Sequence, residues 1–264
     1  MAKGEKRGCL RAKLAAFVVV VVVLAGGLWW FRGGSSLVRG LFAASSKIVS
    51  TQDLPAREAS YTTWDAGESP DYWRLVGTAN VDCELAAGEV RYSPLDSLGR
   101  TGRAVANVTY QMMETGIARD REDIRDIHPS GWTHNSKVSV TNPDGSVYTG
   151  SFYNRSHLIA KSLGGTEVAE NLVTGTHEQN VGDLNGEDGG MGYTEMLARR
   201  WLKYHHDGTV WYSATPVYEG DELVCRSVIV DVLSSDGSVD VEVEVYNVAA
   251  GYEINYATGK FWKI

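Results

Sequence analysis

The side chains best suited to chemistry lie between residues 153 and 180. His157 can accept a proton near neutral pH, and Arg155 carries a planar guanidinium that can hold a phosphate. Asn180 offers a neutral amide oxygen suited to a hard cation such as Mg²⁺, which keeps several waters and uses few protein ligands. Asn154, Arg155 and His157 fall within four residues at the end of a predicted strand, where the sheet holds the backbone still.

Two neighbouring side chains leave alternatives open. Lys161 follows His157 by four residues and is a candidate contact for the flanking phosphate, but a solvated lysine is an equal alternative. His177 precedes Asn180 by three residues, so one helical turn would place both on one face. We favour a surface histidine there over a second metal or phosphate contact.

The joint pattern NRSHLIAKSLGG…ENLVTGTHEQN resembles the DNA/RNA non-specific endonuclease family, whose active site is a ββα-metal motif. The family's core motif is Asp-Arg-Gly-His, with Asn-Arg-Cys-His in one branch, and the corresponding residues are Asn-Arg-Ser-His at 154–157. Other segments resemble the family in the same order, so the resemblance covers about residues 89–262. They are Ser93–Ala104, Pro129–Trp132, Tyr218–Val224 and Tyr246–Gly259.

The resemblance implies a role for each matching residue. His157 corresponds to the general base that takes a proton from the attacking water, and Asn180 to the ligand of a single Mg²⁺, with Mn²⁺ as an alternative. Glu195 corresponds to an acidic residue that orients the waters of the metal. Arg199 corresponds to an arginine that contacts phosphate or supports that carboxylate, and Arg155 ties a loop or a phosphate in place.

Two positions depart from the usual motif. Asn154 stands where most members have Asp, so the local charge is one unit less negative, and we expect its amide to hold the loop by hydrogen bonds rather than to bind metal. Ser156 replaces Gly or Cys, which exchanges one small residue for another.

The implied activity is Mg²⁺-dependent, sequence-independent hydrolysis of phosphodiester bonds in DNA, with RNA as a further substrate and no protein partner. Two alternatives remain. One is a catalytically silent nucleic-acid-binding or envelope domain that kept the scaffold, and the other is an antibacterial nuclease toxin.

The predicted elements that position these residues are mostly strands. Strands are predicted at Thr101–Glu114, on both sides of the turn Asn142–Gly145, and at Val210–Tyr218, Leu223–Leu233 and Val239–Val248. The clearest helix is Glu195–Tyr204, where apolar and charged residues follow a helical period. The fold class is therefore α+β, with a central, mainly antiparallel sheet and few helices. The family resemblance further implies a ββα-metal motif at the active site.

The N-terminal segment differs from the rest of the chain in its charge and hydrophobicity. Residues 1–13 form a basic flank, and Leu14–Phe31 is an uncharged run of 18 residues, close to the length that spans a bilayer. Basic flanks stay in the cytosol, so we predict a single-pass protein of the cell membrane with an extracellular C-terminal domain. A cleaved signal and a secreted protein are the alternative. Residues 32–75 are expected to form a linker, and residues 76–264 the nuclease domain.

Composition excludes some classes of protein. The 264 residues are 43% hydrophobic, which excludes a disordered chain. Residues 1–32 hold six basic residues and one acidic residue, a net charge of +5. Since the whole chain has a net charge of −8, the remaining residues have a net charge of −13. Binding of a polyanion therefore depends on local basic residues rather than on net charge. Cys83 and Cys225 lie in the predicted exported part, where either a disulfide or two free thiols would fit.

Overall fold

The computed structural model describes most of the chain from residue 49 onward. The described residues are 49–51, 54–57, 59–133, 135–182 and 189–264. The predicted basic flank (1–13) and membrane segment (14–31) lie outside them. Within the described ranges, no helix is both long and apolar enough to cross a bilayer.

Strands dominate the described part of the chain. They are β1 (Val49–Thr51), β2 (Trp73–Gly77), β3 (Val90–Tyr92), β4 (Ala104–Thr109), β5 (Lys137–Thr141), β6 (Val147–Ser151), β7 (Tyr153–His157), β8 (Leu172–Thr176), β9 (Thr209–Val217), β10 (Ser227–Ser234), β11 (Asp240–Tyr246), β12 (Tyr252–Asn255) and β13 (Lys260–Lys263). The α-helices are α1 (Tyr110–Ala118), α2 (His177–Val181) and α3 (Gly190–Tyr204).

A seven-stranded sheet forms the centre, in the order β1-β3-β4-β9-β10-β11-β2 among the described strands. β1 and β3 are parallel, and the other neighbouring pairs are antiparallel. Three two-stranded ladders (β5-β6, β7-β8 and β12-β13) lie outside this sheet. The α+β class predicted from the sequence is confirmed.

One face of the sheet packs against α3. Val228, Val230 and Val232 alternate along β10 and share a buried core with Ala198 and Leu202 of the helix. This alternation is the period of two that a strand requires. The apolar stripe of α3 covers it, so the helix lies fixed against the middle of the sheet.

An irregular segment covers the opposite face. We call residues 54–57 and 59–72 the N-terminal strap. Arg57 of the strap pairs with the buried carboxylate of Asp231 and with the half-buried carboxylate of Glu242. The amide of Thr62 donates to Glu244 over 3.1 Å.

The boundary predicted at residues 75/76 therefore falls inside β2, and the packed domain begins earlier in the chain. Tyr72, which immediately precedes β2, is also buried. The strap lacks hydrophobic periodicity because much of its attachment is polar, and for that reason it was predicted to be part of a linker.

The predicted strand Thr101–Glu114 is correct only in its middle. β4 ends at Thr109, and helix α1 begins at the next residue. The Thr109 side chain accepts a hydrogen bond from Met112 N at 3.2 Å, which is a helix N-cap. Met112, Met113 and Gly116 then form the buried face of α1. The cap converts an apolar run with mixed spacing into a helix.

The other predicted elements can also be compared with the structure. The turn at Asn142–Gly145 joins β5 and β6, as predicted, with Gly145 at φ 87°. The predicted helix begins earlier, at Gly190 rather than Glu195. Cys83 and Cys225 are free thiols.

Candidate active site

The motif residues lie on a β-β-α unit formed by β7, β8 and α2. β7 and β8 are antiparallel, with His157 opposite Leu172 and Asn154 opposite Gly175. Helix α2 follows β8 directly, and the Thr176 hydroxyl caps it by accepting from Gln179 N at 2.9 Å. The unit thus brings His157, at the end of β7, and Asn180, on α2, to one cleft of about 770 Å³.

Asn247 fixes this unit to the sheet. The Asn247 side chain is fully buried. Its Oδ1 accepts from Thr176 N at 2.9 Å, and its Nδ2 donates to Thr174 O at 3.0 Å and to Cys225 O at 2.8 Å. The start of α2, and with it Asn180, is therefore held by hydrogen bonds from outside the motif.

His157 forms its polar contact with a residue that the sequence analysis did not single out. Its Nε2 is hydrogen-bonded to a carboxylate oxygen of Glu167. The Glu167 side chain is only 4% exposed, whereas that of His157 is 21% exposed. The hydrogen bond from His157 holds the pKa of Glu167 below its usual value, although burial opposes this effect. His157 is thus the partly exposed member of a histidine–carboxylate pair.

Asn180 fits the role of a cation ligand. Its half-buried side chain lines the cleft together with His157 and Glu195. It makes no side-chain hydrogen bond to any other described residue, so its amide oxygen is available. The described residues contain no cluster of three or more His, Cys, Asp or Glu side chains suited to a metal. Asn180 would bind a hard cation such as Mg²⁺ directly, and Glu195 would contact the waters of that cation.

Glu195 and Arg199 lie one turn apart on α3 and face the same cleft. Arg199 Nη1 is 3.2 Å from Glu195 Oε2 and 3.1 Å from Ser162 Oγ. Burial raises the pKa of the Glu195 carboxyl, and the charge of Arg199 opposes that rise. Of the two roles considered for Arg199, phosphate contact or support of this carboxylate, the direct contact is compatible with the second.

Arg155 ties a loop in place. Its Nε donates to Ile127 O at 2.5 Å and its Nη2 to Arg125 O at 2.6 Å. Its guanidinium carbon also lies 4.2 Å from the ring centre of Trp132. Of the two roles considered for Arg155, loop or phosphate, these contacts support the loop.

Lys161 is also directed at backbone oxygen atoms. Its ammonium donates to Gly116 O at 2.8 Å and to Arg119 O, at the C-terminal end of α1. A cation at that end of a helix is favourable because the last carbonyls have no intrahelical partner. Helix capping is therefore a role that the sequence analysis did not consider. A phosphate contact, which stays a prediction, would require these bonds to break.

Asn154, which lines the cleft, is paired with His177. Asn154 Nδ2 lies 3.4 Å from His177 Nδ1. The His177 ring stacks on Tyr148 with centroids 3.5 Å apart, and burial lowers the pKa of His177 to about 4. His177 is therefore a neutral packing residue rather than the surface histidine that we favoured. Its contact with Asn154 agrees with a hydrogen-bonding role for that amide.

Two charged residues near His157 were missed by sequence reasoning. Glu167 lies ten residues after His157, and Arg119 follows α1. Arg119 Nη2 lies 4.0 Å from Glu167 Oε1 and donates to Gly165 O at 2.6 Å. The sequence offered only one clue to the role of Glu167, which is its position shortly after Gly164 and Gly165, between the two halves of the motif. Only the folded loop shows that it reaches the histidine.

The chain matches the family model of the DNA/RNA non-specific endonucleases over residues 80–236, more than half of its length. A deoxyribonuclease from Streptococcus dysgalactiae subsp. equisimilis is 31% identical over a 242-residue alignment, which covers 73% of this chain and 73% of the relative. The protein is thus an enzyme of the nuclease class. It belongs to the DNA/RNA non-specific endonuclease family.

Solved structures show the same fold. The Sda1 nuclease with bound zinc ion is 31% identical, with a TM-score of 0.72, and the match covers 76% of this chain and 100% of that one. NucA from Streptococcus agalactiae with magnesium bound is 24% identical, with a TM-score of 0.57, covering 71% and 84%. The second likeness concerns the fold alone.

Proposed function

We propose that this enzyme hydrolyses phosphodiester bonds of DNA without sequence selection, using His157 as general base and a divalent cation, Mg²⁺, held at Asn180. The observation that carries the proposal is the convergence of His157 and Asn180 on one cleft through the β7-β8-α2 unit. The magnesium and zinc ions in the two solved relatives support a divalent cation.

The histidine geometry suits proton abstraction. Because Nε2 is bonded to the Glu167 carboxylate, the proton of a neutral imidazole lies on Nε2, and Nδ1 keeps its lone pair. Nδ1 takes a proton from a water molecule as that water's oxygen attacks phosphorus. The bond from phosphorus to the leaving sugar oxygen then breaks, and solvent returns a proton to that oxygen.

When bound, a divalent cation supplies positive charge for the phosphate and the leaving oxygen. Asn180 would hold the cation, and Glu195, kept in place by Arg199, would orient its waters. These groups would contact the phosphate of the substrate rather than the edges of its bases. Phosphate contacts carry no sequence information, which accounts for sequence-independent cleavage.

The test is digestion of supercoiled plasmid by the full chain in detergent. Wild type, His157→Ala and Asn180→Ala are compared with Mg²⁺, Mn²⁺, Zn²⁺ or a chelator, and folded RNA serves as a second substrate. His206→Ala is the matched control, because His206 is exposed and outside the cleft. We expect a 10²-fold or greater loss for His157→Ala, by the usual magnitude of general-base catalysis, and full activity for the control. Absence of cleavage by wild type would instead favour the catalytically silent domain.

We also propose that the protein is anchored in the cell membrane with the nuclease domain outside. The uncharged run Leu14–Phe31 and its basic flank support this proposal. Membrane fractionation tests it: full-size protein in the membrane fraction supports an anchor. A product about 3 kDa smaller in the medium would indicate a cleaved signal of this length.

A further inference from the structure

We infer that Glu167 is a positioning residue for His157, fixing the imidazole so that Nδ1 faces the reacting water and stabilising the imidazolium that forms. This inference rests on the proposed function, because it assumes that His157 accepts a proton. The Glu167 carboxylate does not need to touch substrate or metal. It acts through its hydrogen bond to His157 Nε2.

The surroundings of Glu167 keep its carboxylate ionised. Its side chain is almost completely removed from solvent, yet Arg119 lies 4.0 Å from the oxygen that does not contact His157. The charges of Arg119 and Lys161 add to the effect of the His157 hydrogen bond in lowering the pKa of Glu167. An ionised carboxylate bonded to Nε2 favours the protonated ring after proton transfer, as a buried acid does in a catalytic triad.

The loop that carries Glu167 is locked to the end of β7. Asn171, fully buried, accepts from Ile159 N at 2.8 Å and donates to Ile159 O and Thr166 O, each at 2.9 Å. Thr166 N donates to the buried Tyr92 hydroxyl at 3.0 Å. Buried side chains therefore hold the backbone close to both His157 and Glu167, which is how a catalytic geometry is pre-organised.

Other charged groups around the pair belong to different elements. Arg119 follows α1, and Glu195 and Arg199 come from α3. Lys161 begins a short 3-10 helix after β7. Among the described residues, only Glu167 is hydrogen-bonded to the His157 ring. Removal of the Glu167 charge should therefore change His157 more directly than removal of the others.

The experiment uses Glu167→Gln in the full chain, assayed on plasmid with Mg²⁺ across pH. Glutamine keeps the size and an oxygen acceptor but removes the charge. We expect kcat to fall about 10- to 100-fold, by analogy with carboxylates that orient metal-bound histidines, with KM within twofold of wild type. The acidic limb of the kcat profile should move to lower pH by about one unit, because the imidazolium loses a stabilising charge. Glu170→Gln, a half-buried glutamate three residues along the chain and outside the cleft, should match wild type.

A double-mutant cycle separates positioning from general structural support. If Glu167 acts through His157, the double variant His157→Ala/Glu167→Gln should cleave no more slowly than His157→Ala alone. A further loss equal to that of the single Glu167 variant would overturn the inference. So would a Glu167→Gln enzyme with wild-type kcat and an unmoved acidic limb. Failure of wild type to cleave DNA would instead overturn the proposed function, and that result is read from the wild-type lane alone.

Discussion

At the scale of single residues, the site separates groups that face the cleft from groups that hold the cleft together. His157, Asn180 and Glu195 present polar atoms to the cavity. Arg155 and Lys161 line the same cavity, but their side-chain donors are bonded to backbone carbonyls. Residue type could not distinguish these uses, because a guanidinium or an ammonium satisfies a carbonyl as readily as a phosphate.

Imidazole should restore part of the activity of His157→Ala. The side chain is partly exposed to the cleft, so a free imidazole can enter the space that truncation leaves. The measurement is the plasmid nicking rate as imidazole is raised at fixed pH and ionic strength. Asn180→Ala serves as the control, since imidazole cannot replace an amide ligand, and equal stimulation of both variants would count against a base role.

Lys161→Met should lower stability rather than substrate affinity. The substitution keeps the aliphatic stem but removes the bonds to Gly116 O and Arg119 O. We expect the free energy of unfolding to fall by about 1.5–3 kcal/mol, the range for hydrogen bonds made by charged groups, and KM for DNA to change less than twofold. Denaturant unfolding and steady-state kinetics measure the two effects, with exposed Lys203→Met as control. A tenfold rise in KM at unchanged stability would instead favour the phosphate contact.

At the scale of elements, short-range patterns predicted strands well and their ends less well. The alternation of β11 and the turn chemistry at Asn142–Gly145 depend on neighbouring residues, so the sequence contains them. The change from β4 to α1 depends on one cap at Thr109, which competes with an apolar run that suits either structure. The strap was missed because its pairing partners lie more than 170 residues away.

Asn247→Ala should destabilise the β-β-α unit. Three buried hydrogen bonds to Thr176 N, Thr174 O and Cys225 O would be lost, and each backbone group would be left unpaired. We expect a loss of about 3 kcal/mol, at roughly 1 kcal/mol per bond, and a fall in kcat at temperatures where the variant remains folded. Thermal unfolding and kinetics are compared with Asn255→Ala, an exposed asparagine on β12. A variant as stable as this control would show that Asn247 does not hold the unit.

At the scale of the whole molecule, the domain depends on residues that lie before the segments that resemble the family. The strap covers a sheet face that contains the buried carboxylates of Asp231 and Glu244. Arg57 and Arg74 supply their counter-charges. A chain beginning at residue 76 would lack both arginines and the first three residues of β2, so we expect it to fold poorly.

Arg57→Ala should be strongly destabilising. Its side chain is 5% exposed and pairs with Asp231 and Glu242. Removing one member of a buried ion pair typically costs about 3–5 kcal/mol, because the other charge stays buried without compensation. Denaturant unfolding at pH 7 measures the loss. Arg200→Ala, at an exposed position on α3, should lie within about 0.5 kcal/mol of wild type. An equal effect of the two substitutions would argue against the strap as an integral part of the domain.

Asp231 should make stability fall as the pH rises from about 4 to 6. Burial raises the pKa of Asp231 to about 6, from 3.8. Between these values the unfolded chain releases the proton while the folded chain keeps it, so unfolding becomes easier as pH rises, by at most about 3 kcal/mol. Asp231→Asn should remove this dependence, so its stability relative to wild type should improve from pH 4 to pH 7. Parallel unfolding curves for the two proteins across that range would contradict the assignment.

The sequence by itself determined the family resemblance, the α+β class and the pair His157 and Asn180. Those features depend on the types of residues that lie close together in the sequence, so they can be recognised before the chain is folded. The tertiary structure decided which carboxylate reaches His157, which basic residues face backbone carbonyls, and where the domain begins. Each of these is a contact between segments distant in sequence, and burial makes such a contact decisive because an unpaired charge or amide away from water is costly. Glu167 and Arg57 show this most clearly, since neither follows a local pattern.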